Sequence, residues 1–563
     1  ERVEREAETA ALFNALKHGS DAQVGAIMGP LMGENPDFRE HGDRIPGVIA
    51  PVIERVNGLD ESAKRDRLEE LDPEAVEELD AEEEEDEHDL PDLSNTDDGV
   101  KMRAAPNPNG PWHIGHARMP AVIGTYAERY DGEFIVRFDD TDPETKRPDL
   151  DAYDAILEDI EYLGLEPSEV YRASDRLDIY YEHARELIDA GGAYTCTCPQ
   201  GDFSELKNSG EACPHREKDA ETVHEEFDAM VDGEYESGDV VLRVRTDIDH
   251  KNPALRDFVA FRMIDTPHPR EEAADYRCWP MLDFQSGIDD HLTGVTHIIR
   301  GIDLQDSAKK QRFVYDYFGW EYPEVVHWGH VQVDAYDVKL STSTLKEKIG
   351  AGEYDGWDDP RVPTIKSLRR RGIRGQAIVD AMVELGTSTS DVDLPISNIY
   401  AHNRELVDDE TDRAFAVREG VRFEVAGGPG SAHPPVHPDH EDRGERDIPV
   451  GDSVMLEPDD VPEVGERVWL KGFGPFGREG DTLVYTDESI DIVREKDVPV
   501  VHWVPTDGSV SVRMRTMDGD VACFAEPGIE SYDEGDLLQF ERIGFVRIDE
   551  QTDRETVVYF THE

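Results

Sequence analysis

With 563 residues, 128 Asp plus Glu against 58 Lys plus Arg, and a formal net charge of −70, the chain is too long for one compact core and should divide into about three or four domains. Such acidity works against a nucleic-acid partner in dilute salt, because phosphate contacts need cations; it fits a solvated surface adapted to concentrated salt, where screening falls to about 3 Å at molar ionic strength. No run of about 18 apolar residues and no signal-peptide pattern occurs, so a soluble, cytoplasmic protein without a membrane partner is expected.

Residues 1–75 carry apolar positions at helical spacing, among them Val3, Ala7, Ala11 and Ala15 and then Ile49, Val52, Ile53 and Val56, which predicts an N-terminal helical domain. Residues 76–98 are dominated by Glu and Asp, including the run from Asp80 to Glu87. Too little apolar surface is present there for independent folding, so an acidic linker is expected.

From Val100 strands and helices alternate. Strands are predicted at Val100–Ala105 and Glu133–Phe138, helices at Trp112–Tyr130, Leu150–Leu163 and Leu177–Ala190, and apolar runs at Val295–Arg300 and Val325–Val333. This order predicts an α/β, Rossmann-like domain over 99–344, a doubly wound parallel sheet that binds ligands beyond the carboxyl ends of its strands. Residues 345–405 read as a helical connecting domain, in which Leu368-Arg-Arg-Arg371 suits either nucleic-acid phosphates or a solvated helix face. Residues 406–563 read as short strands spaced by Gly, Pro and Asp, predicting an all-β region of one or two barrels.

Four stretches carry chemistry or resemble stretches that do. Arg103-Ala-Ala-Pro-Asn-Pro-Asn-Gly-Pro-Trp-His-Ile-Gly-His-Ala-Arg118 runs from a strand through a Pro/Asn/Gly loop to two histidines opening a helix. Imidazoles at the positive end of a helix can hold phosphate oxygens, and Gly115 removes a side chain that would block a flat base, so the site suits ATP. Lys339-Leu-Ser-Thr-Ser343 follows the strand around Val331 and has the composition of a phosphate clamp, or of an ordinary loop. Cys196-Thr-Cys198 followed by Cys213-Pro-His215 offers four ligands at tetrahedral zinc spacing; buried free thiols are the alternative. Gly472-Phe-Gly-Pro-Phe-Gly477 matches a dinucleotide fingerprint but sits among strands, which predicts a turn, and His433, His437 and His440 are expected in an extended loop more than at a metal.

Taken with Arg137-Phe-Asp-Asp-Thr-Asp-Pro143, the segment from Asp289 to Asp303 and the tail segment from Gly535 to Asp549, this order resembles the glutamyl-tRNA synthetase family of archaeal type, among the class I aminoacyl-tRNA synthetases, over the whole chain. The resemblance implies an ATP-dependent ligase that activates L-glutamate as glutamyl-adenylate, with Mg²⁺ accompanying ATP, and esterifies it to the 3′ end of tRNA for glutamate, with tRNA for glutamine as a possible second acceptor. His113 and His116 would then be the HIGH motif and Lys339, Ser341 and Ser343 the KMSKS-like loop, with Thr342 standing where a second lysine is usual. Arg103 would contact the amino acid, Asp139 its α-ammonium and Arg300 its side-chain carboxylate. A guanidinium suits a carboxylate better than an amide, which favours glutamate over the glutaminyl relatives. Leu282 stands where the family commonly shows Tyr. An acceptor-end-binding insertion at about 190–290 would hold a structural Zn²⁺ on Cys196, Cys198, Cys213 and His215, and the β region would read the anticodon of a monomeric enzyme. A nucleotidyltransferase with the same HIGH-type fold is the rival from another class, disfavoured by the long β tail.

Overall fold

The structure, a computed structural model, describes residues 2–18, 22, 27, 45–59, 61–72, 75, 90–336, 340–491, 493 and 497–563. Most of the expected acidic linker, 76–89, and Lys339 lie outside them. The chain splits into two compact units, Glu1–Leu90 and Pro91–Glu563.

In the first unit, helices α1 (Arg2–His18), α2 (Ile45–Asn57) and α3 (Glu61–Leu71) enclose a small core. Ala7, Ala11 and Ala15 repeat every four residues on α1 and meet Ile49, Val52 and Val56 of α2 and Leu68 of α3.

The second unit is built on a five-stranded sheet. Its strands are β1 (Lys101–Ala104), β2 (Glu133–Phe138), β3 (Glu169–Arg172) and, after a long insertion, His297–Gly301 and Glu324–Trp328. All neighbours are parallel. The chain winds outward from β1 to β3, then restarts on the other side of β1 with strand His297–Gly301. That reversal is the topological switch point where such sheets open a crevice. Arg103 on β1 and Arg300 on the strand beside it both lie next to it.

Helices α4 (Arg118–Arg129), α5 (Leu150–Tyr162) and α6 (Leu177–Asp189) follow the first three strands. The expected helix from Trp112 is corrected: Ile114–His116 is a single 3₁₀ turn and the α-helix begins at Arg118. Backbone bonds explain the delay, because Ile114 N donates to Pro363 O and Ile365 N to Trp112 O, holding the loop against a distant segment.

The insertion forms an antiparallel sheet of β4 (Ala193–Cys196), β5 (Val241–Val244), β6 (Val259–Met263) and β7 (Cys278–Pro280). Tyr181, Phe227, Phe261 and Trp279 fill the core against it. Helix α7 (Gln200–Ser209) and helix α8 (Ala220–Val231) lie between β4 and β5. Helix α9 (Leu282–Leu292) returns the chain to β8 (His297–Gly301), and α10 (Gln305–Phe318) leads to β9 (Glu324–Trp328). The apolar run Val325–Val333 is two strands, β9 and β10 (Val331–Val333), broken at Gly329. A Cβ there would lie 1.9 Å from Ser390 O, so only glycine admits the neighbouring backbone.

Helices follow at α11 (Thr342–Gly350), α12 (Ile365–Arg371), α13 (Gly375–Glu384) and α14 (Ile396–Val407). Arg370 and Arg371 of α12 serve as a joint, a role neither expectation for that run contained, while Arg369 is exposed as a solvated helix face would have it. Arg370 pairs with Asp358 and Asp549, and buried Arg371 donates to the backbone oxygens of Phe560 and Thr561 and to Tyr400 Oη. Buried guanidiniums need such partners, and the β region's last strand supplies them.

The tail holds two seven-stranded sheets. One uses residues 421–505 and the other combines 412–418 with 510–562, so the first is inserted within the second. Ser453–Leu456 and Arg467–Leu470 are strands, and Leu537–Phe540 and Gly544–Gln551 are two strands around a tight turn with Arg542 at φ 66°. Gly472-Phe-Gly-Pro-Phe-Gly477 is a turn entering strand Gly474–Glu479. His433, His437 and His440 lie outside strands and helices.

Candidate active site

The loop after β1 is fastened to the end of β2. Asp139 N donates to Pro106 O, Asn107 Nδ2 to Asp139 O at 2.8 Å, and Asp149 N to Pro108 O. Trp112 N donates to the buried Asp159 carboxylate at 3.3 Å. The loop then delivers two stacked imidazoles, His113 and His116, with ring centroids 3.7 Å apart.

Burial lowers His113 to about 4, and burial together with neighbouring His113 takes His116 well below its usual range. Both rings are therefore neutral at neutral pH. They can still act as directed donors: His116 Nδ1 accepts from His113 N at 3.3 Å, which leaves the proton on Nε2.

The Leu340–Ser343 segment reaches the histidine loop. A Cβ at Gly115 would stand 3.3 Å from the His113 ring and 3.4 Å from Leu340 Cδ1, and one at Gly110 would stand 2.5 Å from Thr342 Cγ2. Thr342 is buried, so the residue replacing the usual lysine packs its methyl group against the glycine of the first loop. Ser341 caps α11, its Oγ accepting from Thr344 N, and Ser343 is exposed. The structure thus brings His113, Gly115 and His116 to the Leu340–Ser343 segment.

At the sheet's switch point three arginines gather around one buried acid. Arg103 donates Nε and Nη2 to the two oxygens of Asp290 at 3.0 and 3.2 Å, and Arg137 donates Nη1 to the same carboxylate at 2.8 Å. Arg300 Nη2 stands 3.8 Å from it. Burial pushes the Asp290 carboxyl up, but the Arg103 and Arg137 guanidiniums more than reverse this and hold it down at about 2. Arg137 is fully spent, giving its other donors to Asp139 at 2.7 Å and to Ser286 Oγ at 2.7 Å.

Asp139, oriented by Arg137 and by Gln285 Nε2 at 3.2 Å, keeps part of its carboxylate accessible. Arg300 differs from the other two cations: Nη1 donates to Gln311 Oε1 at 3.2 Å, while its buried Nε has no partner among the described residues. Arg103, Asp139 and Arg300 are thus gathered at one place, whereas Leu282, at the start of α9, is exposed. Arg137, Asp290, Ser286 and Gln311 received no role from the sequence. Arg137 and Asp290 stood inside the segments that carried the resemblance.

Asp140 fixes the corner behind Asp139. It accepts from Tyr153 Oη, from Ser174 Oγ and from Ser174 N, while His268 bonds its backbone oxygen and stacks on Trp279.

In the insertion the four expected ligands converge. Cys213 Sγ lies 3.5 Å from Cys196 Sγ and 3.6 Å from Cys198 Sγ, and His215 Nδ1 lies 3.4 Å from both Cys198 and Cys213. Zn–S bonds of about 2.3 Å in a tetrahedron put ligand atoms about 3.5 to 3.8 Å apart, so the donor set fits zinc. His215 Nε2 is held by Thr197 Oγ1 at 3.1 Å, the orienting contact a ligating imidazole needs. A second cluster, Asp409 with His437 and His440, is also close-set. There His437 already uses both nitrogens, Nε2 to Asp408 O and Nδ1 from Asp439 N, which makes it a loop brace.

No helix among the described residues is long and apolar enough to cross a membrane. Residues 99–409 match the family described as tRNA synthetases class I (E and Q), catalytic domain. Residues 411–491 and 500–549 match two anti-codon binding domains of the same description. Relatives named glutamate–tRNA ligase match end to end. That of Natronomonas pharaonis is 71% identical, covering 100% of this chain and 99% of its own, and that of Haloarcula marismortui is 67% identical with the same coverage. That of Methanosarcina acetivorans is 43% identical, with 98% of each chain covered. A parallel sheet with a stacked histidine pair on the loop after its first strand, a cluster of arginines at its switch point and matches of this extent give one conclusion: the chain belongs to the glutamate–tRNA ligase family of class I tRNA synthetases.

Proposed function

We propose that the protein joins L-glutamate to tRNA in two steps. In the first, an α-carboxylate oxygen of glutamate attacks the α-phosphorus of magnesium-bound ATP, forming glutamyl-adenylate as the bond to pyrophosphate breaks. In the second, a hydroxyl of the tRNA 3′-terminal ribose attacks the acyl carbon and AMP leaves.

The observation that carries the reading is the charge of the pocket. Three guanidiniums, Arg103, Arg137 and Arg300, face two carboxylates, Asp290 and Asp139. An amino acid bearing one net negative charge balances them, and glutamine, with none, leaves a buried cation uncompensated. Asp139 takes the α-ammonium, Arg103 helps to seat the amino acid through its remaining donor, and Arg300 takes the γ-carboxylate.

His113 and His116 contribute by positioning and by hydrogen bonds to the phosphate as charge gathers on its oxygens. Because both rings start neutral, their effect depends on donor geometry more than on charge. Gly115 leaves room for the nucleotide, and Lys339, Ser341 and Ser343 would contribute from the second loop. Ser341 is already engaged as a helix cap.

Cys196, Cys198, Cys213 and His215 would hold a zinc ion that closes the loop of the insertion and supplies structural cross-linking. The β region would read the anticodon, and the enzyme would act as a cytoplasmic monomer.

The test is charging of purified tRNA for glutamate and of tRNA for glutamine with labelled glutamate and labelled glutamine in concentrated KCl. Esterification of glutamate is expected, and the second tRNA reports whether the acceptor range is wider. Esterification of glutamine alone would overturn the assignment.

A further inference from the structure

Arg300 reaches its place through a side chain that neither the motifs nor the charge balance single out. Gln311, on α10, is buried and accepts at Oε1 from Arg300 Nη1 at 3.2 Å and from Tyr322 Oη at 2.5 Å. Two donors on one atom fix the sense of the amide, so the oxygen faces the guanidinium. Tyr322 is itself held, its ring edge-on to Tyr315 at 4.8 Å with the Arg312 guanidinium 4.5 Å from its centroid. The stem of Gln311 is pinned where α9 carries Gly287, at which a Cβ would stand 3.3 Å from Gln311 Cγ.

Two buried donors on these bonded side chains lack partners among the described residues: Arg300 Nε and Gln311 Nε2. A buried donor without a partner is costly, so two of them on a bonded pair of side chains mark a place that an acceptor completes.

Resting on the glutamate reading above, we propose that Gln311 determines specificity by aiming Arg300 with its amide oxygen and offering its amide N–H to the same substrate carboxylate. Tyr322 is the positioning residue that keeps the amide from turning over. A neutral amide is suited to this task because it adds no negative charge beside Arg300, and the Asp290 carboxylate 3.8 Å away is already shared with Arg103 and Arg137. A carboxylate at 311 would take that charge permanently.

The test uses the full-length protein in concentrated KCl, with KM and kcat for L-glutamate and the inhibition constant of L-glutamine as competitor. Gln311→Glu should raise the KM for glutamate about 30-fold and leave kcat within about threefold, because a charge-assisted pair competes with substrate without touching the phosphate. Its discrimination between glutamate and glutamine should fall at least about tenfold. Gln311→Met, which keeps the size and removes both polar groups, should raise KM to a lesser degree, as should Tyr322→Phe. Unfolding midpoints matching the wild type establish that the variants are folded. A folded Gln311→Glu protein with the wild-type KM, or one that weakens both amino acids equally, overturns the proposal. Wild-type protein that charges no glutamate would instead overturn the function on which it rests.

Discussion

Asp290 and Arg103 form a buried pair in which both carboxylate oxygens accept from one edge of the guanidinium, Nε and Nη2, at 3.0 and 3.2 Å, from elements 187 residues apart in sequence. Arg137 joins the same carboxylate, so one acid holds β1, β2 and α9 together at the sheet's switch point.

Removing that acid strands two buried cations. Asp290→Asn is expected to destabilise the second unit by about 3 to 5 kcal/mol, as breaking one side of a buried pair does, and to abolish charging. The sign with pH follows from the carboxyl lying at about 2. Stability from this group is present above the ordinary carboxyl value of about 3.9 and is lost as pH falls through about 2. Denaturant unfolding of wild type and variant between pH 2 and 6 checks this: the difference should shrink on acidification.

His116→Ala is expected to lower kcat by about a hundredfold to a thousandfold, the usual cost of one donor to developing charge. Affinity for tRNA should hold within about twofold, since no anticodon or acceptor contact is removed. Steady-state charging and filter binding measure the two separately.

The neutrality of the pair has its own signature. With His113 lowered to about 4 and His116 held well below its usual range, the free protein's two imidazoles should show no titration in proton-detected spectra between pH 5.5 and 8. A midpoint near the ordinary value of about 6.5 would contradict their burial.

Asp159 fastens the histidine loop through Trp112 N, and burial raises its carboxyl to about 7. An acid raised in the folded state stabilises fully below its unfolded value of about 3.9 and loses that contribution as pH rises through about 7. Asp159→Asn keeps an acceptor for Trp112 N and removes the ionisation. Between pH 4 and 7 wild type should therefore lose stability relative to the variant, by no more than about 4 kcal/mol, and the difference should level off above that range. Parallel unfolding curves at fixed KCl would show it.

Metal analysis of undisturbed protein should give about one zinc per chain. Cys213→Ser should release it, because Cys213 touches each of the other three ligands, and should expose the insertion to proteolysis.

The site was legible where residue type and order are both restrictive. Strand Glu133–Phe138 and the β1 loop follow from alternation and turn chemistry, and Arg103, Asp139 and Arg300 do meet at the crevice. What escaped depends on rotation about a helix. Asp289 and Asp290 are adjacent acids, yet only Asp290 bonds Arg103 and Arg137, while Asp289 bonds Arg176 and Tyr180. Gln311 reads as an ordinary helix residue until β9 and Tyr322 are in place. The arginine run on α12 misled for a related reason: in a chain of net charge −70 its cations find internal acids and carbonyls first.

The central claim is that pocket charge selects glutamate, and Arg300→Ala tests it most directly. The expected result is a fall of at least about a hundredfold in kcat/KM for glutamate, carried mainly by KM, in a protein whose unfolding midpoint is unchanged. A folded Arg300→Ala protein that charges glutamate within about threefold of wild type would contradict the account.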